Sequence, residues 1–205
     1  MSVAGHIYGV ALNDRQELDR ISPEFDEKPY LAAPRAPVVY MKPRASLARS
    51  VVAHPAETLV CAPTLALLMA RDATGRTPDN ALDCVGAIAI CLDISLPQSS
   101  YYRPAIAYKN ADGFLALGDW AAPVFPEQLK TYRESQLVHQ WGFDRLHRSP
   151  AMLLAELSGF MTLRAGDVLL VGLPGDAPVA APGEELVVKA QGLPSLQLER
   201  TGRLP

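Results

Sequence analysis

Cysteine is scarce in this chain: 205 residues contain three, Cys61, Cys84 and Cys91. No CxxC pair and no CxxC…HxxxH spacing occurs, so neither a zinc site nor a dithiol redox motif is supported. All three sit in apolar surroundings (TLVCAPTLALL, LDCVGAIAICLDI), which reads as free thiols packed in a core. A surplus of basic charge is also missing. The formal net charge is −3, and the longest basic cluster is RLHR at 145–148, too short for a domain that must displace phosphate counterions; nucleic acid is not an expected partner. No stretch approaches the roughly 18 uninterrupted apolar residues of a membrane helix. The opening MSVAGHIYGVALNDRQ has no basic leader and no continuous apolar core, so it does not read as a signal peptide, and the expected location is cytoplasmic.

Catalytic signatures are equally thin. GxSxG, Walker A, GxGxxG and HExxH are all absent. The histidines His6, His54, His139 and His147 show no metal-ligand spacing and read as surface or structural residues.

Proline, by contrast, is abundant: 18 residues, close to twice the usual share of about 5%. Interior prolines break helices, which excludes a helical bundle and favours short strands joined by turns. The run His6–Leu12 reads as a strand ending at Asn13-Asp14, followed by a turn or short helix within the polar stretch 14–28. APVVYMKP at 36–43, TLVCAPTLALLMA at 58–70 and DCVGAIAICLDISLP at 83–97 are apolar runs bounded by Pro, Gly or Asp, of strand character although the last two are long. Residues 98–113 read as an irregular aromatic loop that lines something. Pro150–Phe160 is the best helix, with Pro at its start, Leu153, Leu154 and Leu157 on one face and Gly159 near its end. LRAGDVLLVGLPG reads as turn, strand, turn, and 181–199 as a further strand after a Pro-Gly turn. No repeat or linker interrupts the chain, so residues 1–205 are expected to form one α+β, predominantly β domain.

Read in order, GVALND (9–14), VVYMKPRASL (38–47), AIAICLDISLP (87–97), YYRPAIAYKNADGF (101–114), LSGFMTLRAGDVLLVGLPG (157–175) and PGEELVVKAQGLPSL (182–196) resemble the fumarylacetoacetate hydrolase family from about residue 7 to 197. SLPQSSYYRPAIAYKNADGF is most similar to isomerase/decarboxylase members of aromatic-compound catabolism, in which two homologous domains are fused or separate. The resemblance implies a mixed, rolled β-sheet with few short helices, a dimeric arrangement, and a magnesium or manganese ion that holds a small 2-oxo or enol dicarboxylate. In the family, two glutamates of a Glu-x-Glu strand project to one side and join an aspartate in a hard oxygen site, where the cation stabilises enolate charge.

This chain departs from that pattern. The Glu-x-Glu positions fall on Ala62 and Thr64 of Cys61-Ala62-Pro63-Thr64-Leu65, whereas Asp93 matches the family aspartate. No tightly bound metal is therefore expected on this chain; the cation is expected on a homologous, metal-bearing subunit, in a homodimer or heteromer. Lys109 and Asp112-Gly113 match the family's Lys-x-x-Asp-Gly segment, in which the lysine helps hold the anionic substrate. The family's lid histidine falls near Glu17, and the threonine of its Gly-Thr-Pro turn is Leu173.

The candidate catalytic residues are Lys109 and Asp93. With no cation, a buried Asp93 needs another partner, for which Lys109 is the candidate, as a structural ion pair or as a proton-transfer pair. Tyr101, Tyr102, Arg103 and Asp112 are the candidate substrate-binding residues; the alternative for the aromatics is packing on the sheet or on a partner. Trp120 and Trp141 read as packing or interface residues. Three functions follow: a subunit of the isomerase/decarboxylase, a non-catalytic dicarboxylate-binding or structural protein, and a metal-independent isomerase.

Overall fold

The structure is a computed structural model that describes residues 3–98, 100–102 and 106–202. In chain order its strands are β1 (Ile7–Ala11), β2 (Val38–Lys42), β3 (Leu47–Ala48), β4 (Val51–Ala53), β5 (Leu59–Met69), β6 (Val85–Ser95), β7 (Leu115–Leu117), β8 (Gln128–Arg133), β9 (Gln136–Gly142), β10 (Val168–Leu170), β11 (Val179–Ala180), β12 (Glu185–Lys189) and β13 (Leu196–Thr201). The α-helices are α1 (Arg15–Ile21), α2 (Ile106–Lys109) and α3 (Pro150–Ser158). The chain is mostly β, with few short helices, as its sequence leads one to expect.

The strands form two mixed sheets. One runs β2-β1-β10-β5-β6-β7-β3, with β11 also on β5; the other runs β4-β13-β12-β8-β9. The long runs 58–70 and 83–97 become β5 and β6, an antiparallel pair whose register sets Ala62 against Asp93 and Thr64 against Cys91. A proline in a central strand removes a ladder donor, yet Pro63 sits in β5. It is tolerated because β10 pairs with residues 66–68 and β11 with 59–60, leaving the strand between them without a ladder partner on that side.

Alternation along the strands sorts two faces. Leu65, Leu67, Ile88, Ile90 and Leu92 meet Leu129, Trp141, Leu186, Val188 and Leu198 of the second sheet, and Leu153, Leu154 and Leu157 of α3, in the main core. The opposite face carries Ile7, Ala66, Leu68, Ala87, Cys91, Leu115, Val168 and Leu170. Small side chains dominate its centre, which lets the sheet curl tightly over them.

The curl is visible in one lysine. β2 and β6 are four strand spacings apart in the sheet order, about 19 Å if the sheet were flat. Lys42 of β2 nevertheless donates from Nζ to the carbonyls of Ile94 in β6 (2.9 Å), Lys109 (2.7 Å) and Phe114 (2.6 Å). The edges of the sheet have rolled toward each other over the small-residue face, and Lys42 spans the gap.

Helix boundaries follow local capping. Asp14 accepts from the Glu17 amide (3.2 Å) and starts α1; Ser149 accepts from the Met152 amide, with Pro150 next, and starts α3. The 181–199 run is two strands, β12 and β13, turned at Gly192 with φ +77°. The three cysteines are buried and free.

Candidate functional site

Asp93 lies on the concave face near the C-terminal end of β6, with a fully buried side chain. Its Oδ1 is 3.1 Å from Lys42 Nζ and 3.1 Å from Lys109 Nζ, and its Oδ2 accepts from the Tyr40 hydroxyl. Lys109 Nζ also stands 4.6 Å from the Tyr40 ring centroid, in cation–π range. Tyr40 and Lys42 share a face of β2, opposite Gly9 and Ile7 of β1. Glycine is required at position 9: a Cβ there would stand 2.1 Å from Tyr40 Cζ. Within the group only Lys109, at 19% side-chain exposure, opens toward solvent among the three charged members.

Burial alone would raise the Asp93 carboxyl, but the charges of Lys109 and Lys42, with the Tyr40 and Lys42 hydrogen bonds, hold it below the ordinary range. Burial pulls the Lys42 ammonium below the usual lysine value, with Lys109 adding repulsion and Asp93 opposing both. Burial and the adjacent Asp93 charge push the Tyr40 hydroxyl and the Cys91 thiol well up, so Tyr40 stays a donor and Cys91 an unreactive packing residue. Two ammoniums against one carboxylate leave the centre with a net positive charge. Ala62 faces Asp93 across the ladder, and Thr64, fully buried, has no hydrogen-bond partner for Oγ1 among the described residues.

The other sequence candidates lie around this centre. Asp93 and Lys109 are brought together; Lys42 and Tyr40 join them and were not singled out by sequence reasoning, although both fall at inward positions of the period-2 run Val38, Tyr40, Lys42. Tyr101 turns to α1: its hydroxyl donates to Glu17 Oε1 (2.7 Å), and Arg20 donates one bond to each Glu17 carboxylate oxygen. Tyr30 fastens the same segment, accepting from the Tyr101 amide (2.9 Å) and packing edge-on against Tyr102 with ring centroids 6.1 Å apart. Asp112 is exposed at the turn that Gly113 closes with φ +77°, and makes no hydrogen bond to the Asp93 group. Arg103 lies outside the described residues. The turn at 172–175 packs on Glu17, since a Cβ at Gly175 would stand 2.0 Å from Glu17 Oε2.

A second polar network adjoins it. Asp14, fully buried, accepts from Trp141 Nε1 (2.7 Å) and pairs with Arg145 (2.8 Å), which also reaches Asp176; His139 completes the chain at 3.3 Å from Asp176. Trp141 is thus a packing residue with its polar edge satisfied, and Trp120 packs on the small-residue face.

The rolled mixed sheet is a fold that known proteins share. Residues 6–199 match the family described as fumarylacetoacetate (FAA) hydrolase C-terminal, and the chain belongs to that family. It is 34% identical over 198 residues to the 4-hydroxyphenylacetate degradation bifunctional isomerase/decarboxylase of Salmonella dublin, a match covering 94% of this chain and 46% of the relative. The chain therefore spans about half the length of these curated relatives. It is 25% identical over 183 residues to a mitochondrial oxaloacetate tautomerase of Arabidopsis thaliana, covering 82% of each chain. In fold it is similar to 5-carboxymethyl-2-hydroxymuconate delta-isomerase from Mycobacterium smegmatis (TM-score 0.80, 21% identity, covering 99% of this chain and 80% of that one). It is likewise similar to fumarylpyruvate hydrolase from Pseudomonas aeruginosa in complex with Mn2+ and pyruvate (TM-score 0.80, 18% identity, covering 96% and 89%).

Proposed function

We propose that this chain is the metal-free half of a two-domain isomerase/decarboxylase of 4-hydroxyphenylacetate catabolism, one domain that works beside a homologous, metal-bearing partner. The reactions in view are 2-hydroxyhepta-2,4-diene-1,7-dioate isomerisation and 5-oxopent-3-ene-1,2,5-tricarboxylate decarboxylation. The observation that carries the reading is the state of Asp93, whose carboxylate is engaged by Lys42, Lys109 and Tyr40 while Ala62 and Thr64 occupy the neighbouring positions across the ladder. A hard divalent cation takes several oxygen ligands, largely carboxylates. Among the described residues, no group of three or more His, Cys, Asp or Glu side chains is arranged to hold a metal ion. The donor set does not fit magnesium or manganese, and a cation would have to displace two ammoniums to reach the one carboxylate.

In this reading Asp93, Lys42 and Tyr40 hold the curled sheet in shape, and Lys109 presents positive charge at its edge. A second reading draws on that partial exposure of Lys109: the positive centre binds a small dicarboxylate, or moves a proton on it, without a metal. Calorimetric titration of the purified chain with Mn2+, followed by co-expression with a metal-bearing homologue and mass analysis, separates them. The expected result is no Mn2+ uptake alone, a stable complex, and chelator-sensitive turnover by that complex. Stoichiometric Mn2+ binding by the lone chain overturns the proposal, and turnover by the lone chain in excess chelator, lost in Lys109→Ala, moves it to the metal-independent reading.

A further inference from the structure

Away from Asp93, a cavity of about 400 Å3 opens at the start of α3. It lies on the other side of the sheet: Leu65 forms part of its floor, and Leu65 alternates with Thr64 and Ala66, which face the concave side. The volume is in the range of small-molecule sites, about 300–1,000 Å3.

Its walls are apolar and partly aromatic. Leu65 and Val171 form the floor, and Phe125, Phe143, Leu82 and Met152 stand around it. Phe143 is fixed edge-on against the buried Trp141, with ring centroids 5.3 Å apart, so one wall is a preset aromatic surface. Four polar side chains line it, Arg15, Asp144, His147 and Ser149, all exposed. Arg15 enters no ion pair among the described residues, which leaves its planar fork of donors available to a carboxylate. The first turn of α3, Pro150 to Met152, lines the same cavity and adds the positive end of a helix. Asp144 sets the opposite condition, since a second anionic group on the ligand would meet its carboxylate.

We propose that this cavity is a second ligand site, for a small aromatic monocarboxylate whose ring lies among Phe125, Phe143 and Leu65 and whose carboxylate is held by Arg15. The site discriminates against dicarboxylates through Asp144, and it is separate from the Lys109 centre. It thus gives the chain a means of sensing an aromatic acid on one face of the sheet whose other face carries Asp93.

The test is calorimetric titration of the full chain with phenylacetate and, in parallel, with adipate. Millimolar binding of phenylacetate, at least tenfold tighter than adipate, is expected, and Lys109→Met is expected to leave it unchanged. Arg15→Gln is expected to weaken it about tenfold, the loss of one charge-assisted contact. Leu82→Trp, at a partly exposed wall position where folding is not at stake, is expected to abolish it by filling the opening. No phenylacetate binding by the native chain, equal binding of adipate, or binding that survives both Arg15→Gln and Leu82→Trp overturns the proposal; so does binding lost in Lys109→Met alone.

Discussion

Lys42 Nζ lies 3.1 Å from Asp93 Oδ1, and neither side chain exposes any surface. Removing one member of such a pair strands the other charge in the interior. Lys42→Met is expected to destabilise the chain by about 3–5 kcal/mol, read as a lowered urea midpoint, and Lys109→Met by less because Lys109 reaches solvent. Restoring balance with Lys42→Met and Asp93→Leu together is expected to recover a large part of the loss. Lys109→Met with no change in midpoint would show that Lys42 and Tyr40 alone hold Asp93.

The backbone at Gly9 has no room for a side chain beneath Tyr40. Gly9→Ala is expected to push the Tyr40 ring away from Asp93 at a cost of about 1–3 kcal/mol, measurable by thermal unfolding. Adding Tyr40→Ala should remove the steric part of that penalty.

Acid should loosen the fold through its engaged carboxylates. Asp93 is held below its ordinary range, and Asp176, though burial opposes it, is drawn down to about 2 by Arg145 and His139. Groups with depressed folded values stabilise the chain above their unfolded value near 3.8 and lose that contribution as pH falls through the folded value. Urea midpoints are therefore expected to be level above about pH 5 and to fall as pH drops below about 4. Asp176→Asn should remove part of the slope.

Replacing Ala62 and Thr64 with glutamate would place two carboxylates on the face that carries Asp93. The double variant Ala62→Glu, Thr64→Glu is expected to gain Mn2+ binding, seen as loss of the free-ion electron paramagnetic resonance signal, with the native chain leaving that signal unchanged.

Tyr101→Phe removes the hydroxyl that ties its segment to Glu17. Faster amide exchange at residues 100–102, with global stability reduced by about 1 kcal/mol or less, is the expected outcome.

The sequence made the long strands and α3 legible because their signals are local: apolar runs bounded by Pro and Gly, and Ser149-Pro150 ahead of a leucine face. It hid the β8–β9 hairpin. That turn takes positive φ at Glu134 and Ser135 (48° and 67°), where hairpins usually announce themselves with Asn-Gly. The four-residue helix α2, which carries Lys109, was too short to show periodicity. In the site, Asp93 and Lys109 stood out through the family pattern, whereas Lys42 read as the polar end of a strand. Its role depends on partners 52 to 72 residues away, brought near only by the roll. For Tyr101 and Tyr102 the sequence left pocket lining and packing both open, because their contacts with Glu17 and Tyr30 join segments more than 70 residues apart.

The placement of β1 between β2 and β10, parallel to the latter, fixes an order of events during synthesis. The β5–β6 hairpin can pair as soon as residue 95 has left the ribosome. β1 can pair early with β2 but waits for its second partner, 161 residues downstream, beside which the His6 amide is bonded to Asp167. Until that late segment emerges, one edge of the nascent sheet has no mate, and such distant pairing makes closure slow. Chaperone dependence in the cell should therefore track the exposure of residues 7–11, and a nascent chain stalled before residue 168 should bind a holdase that the finished protein releases.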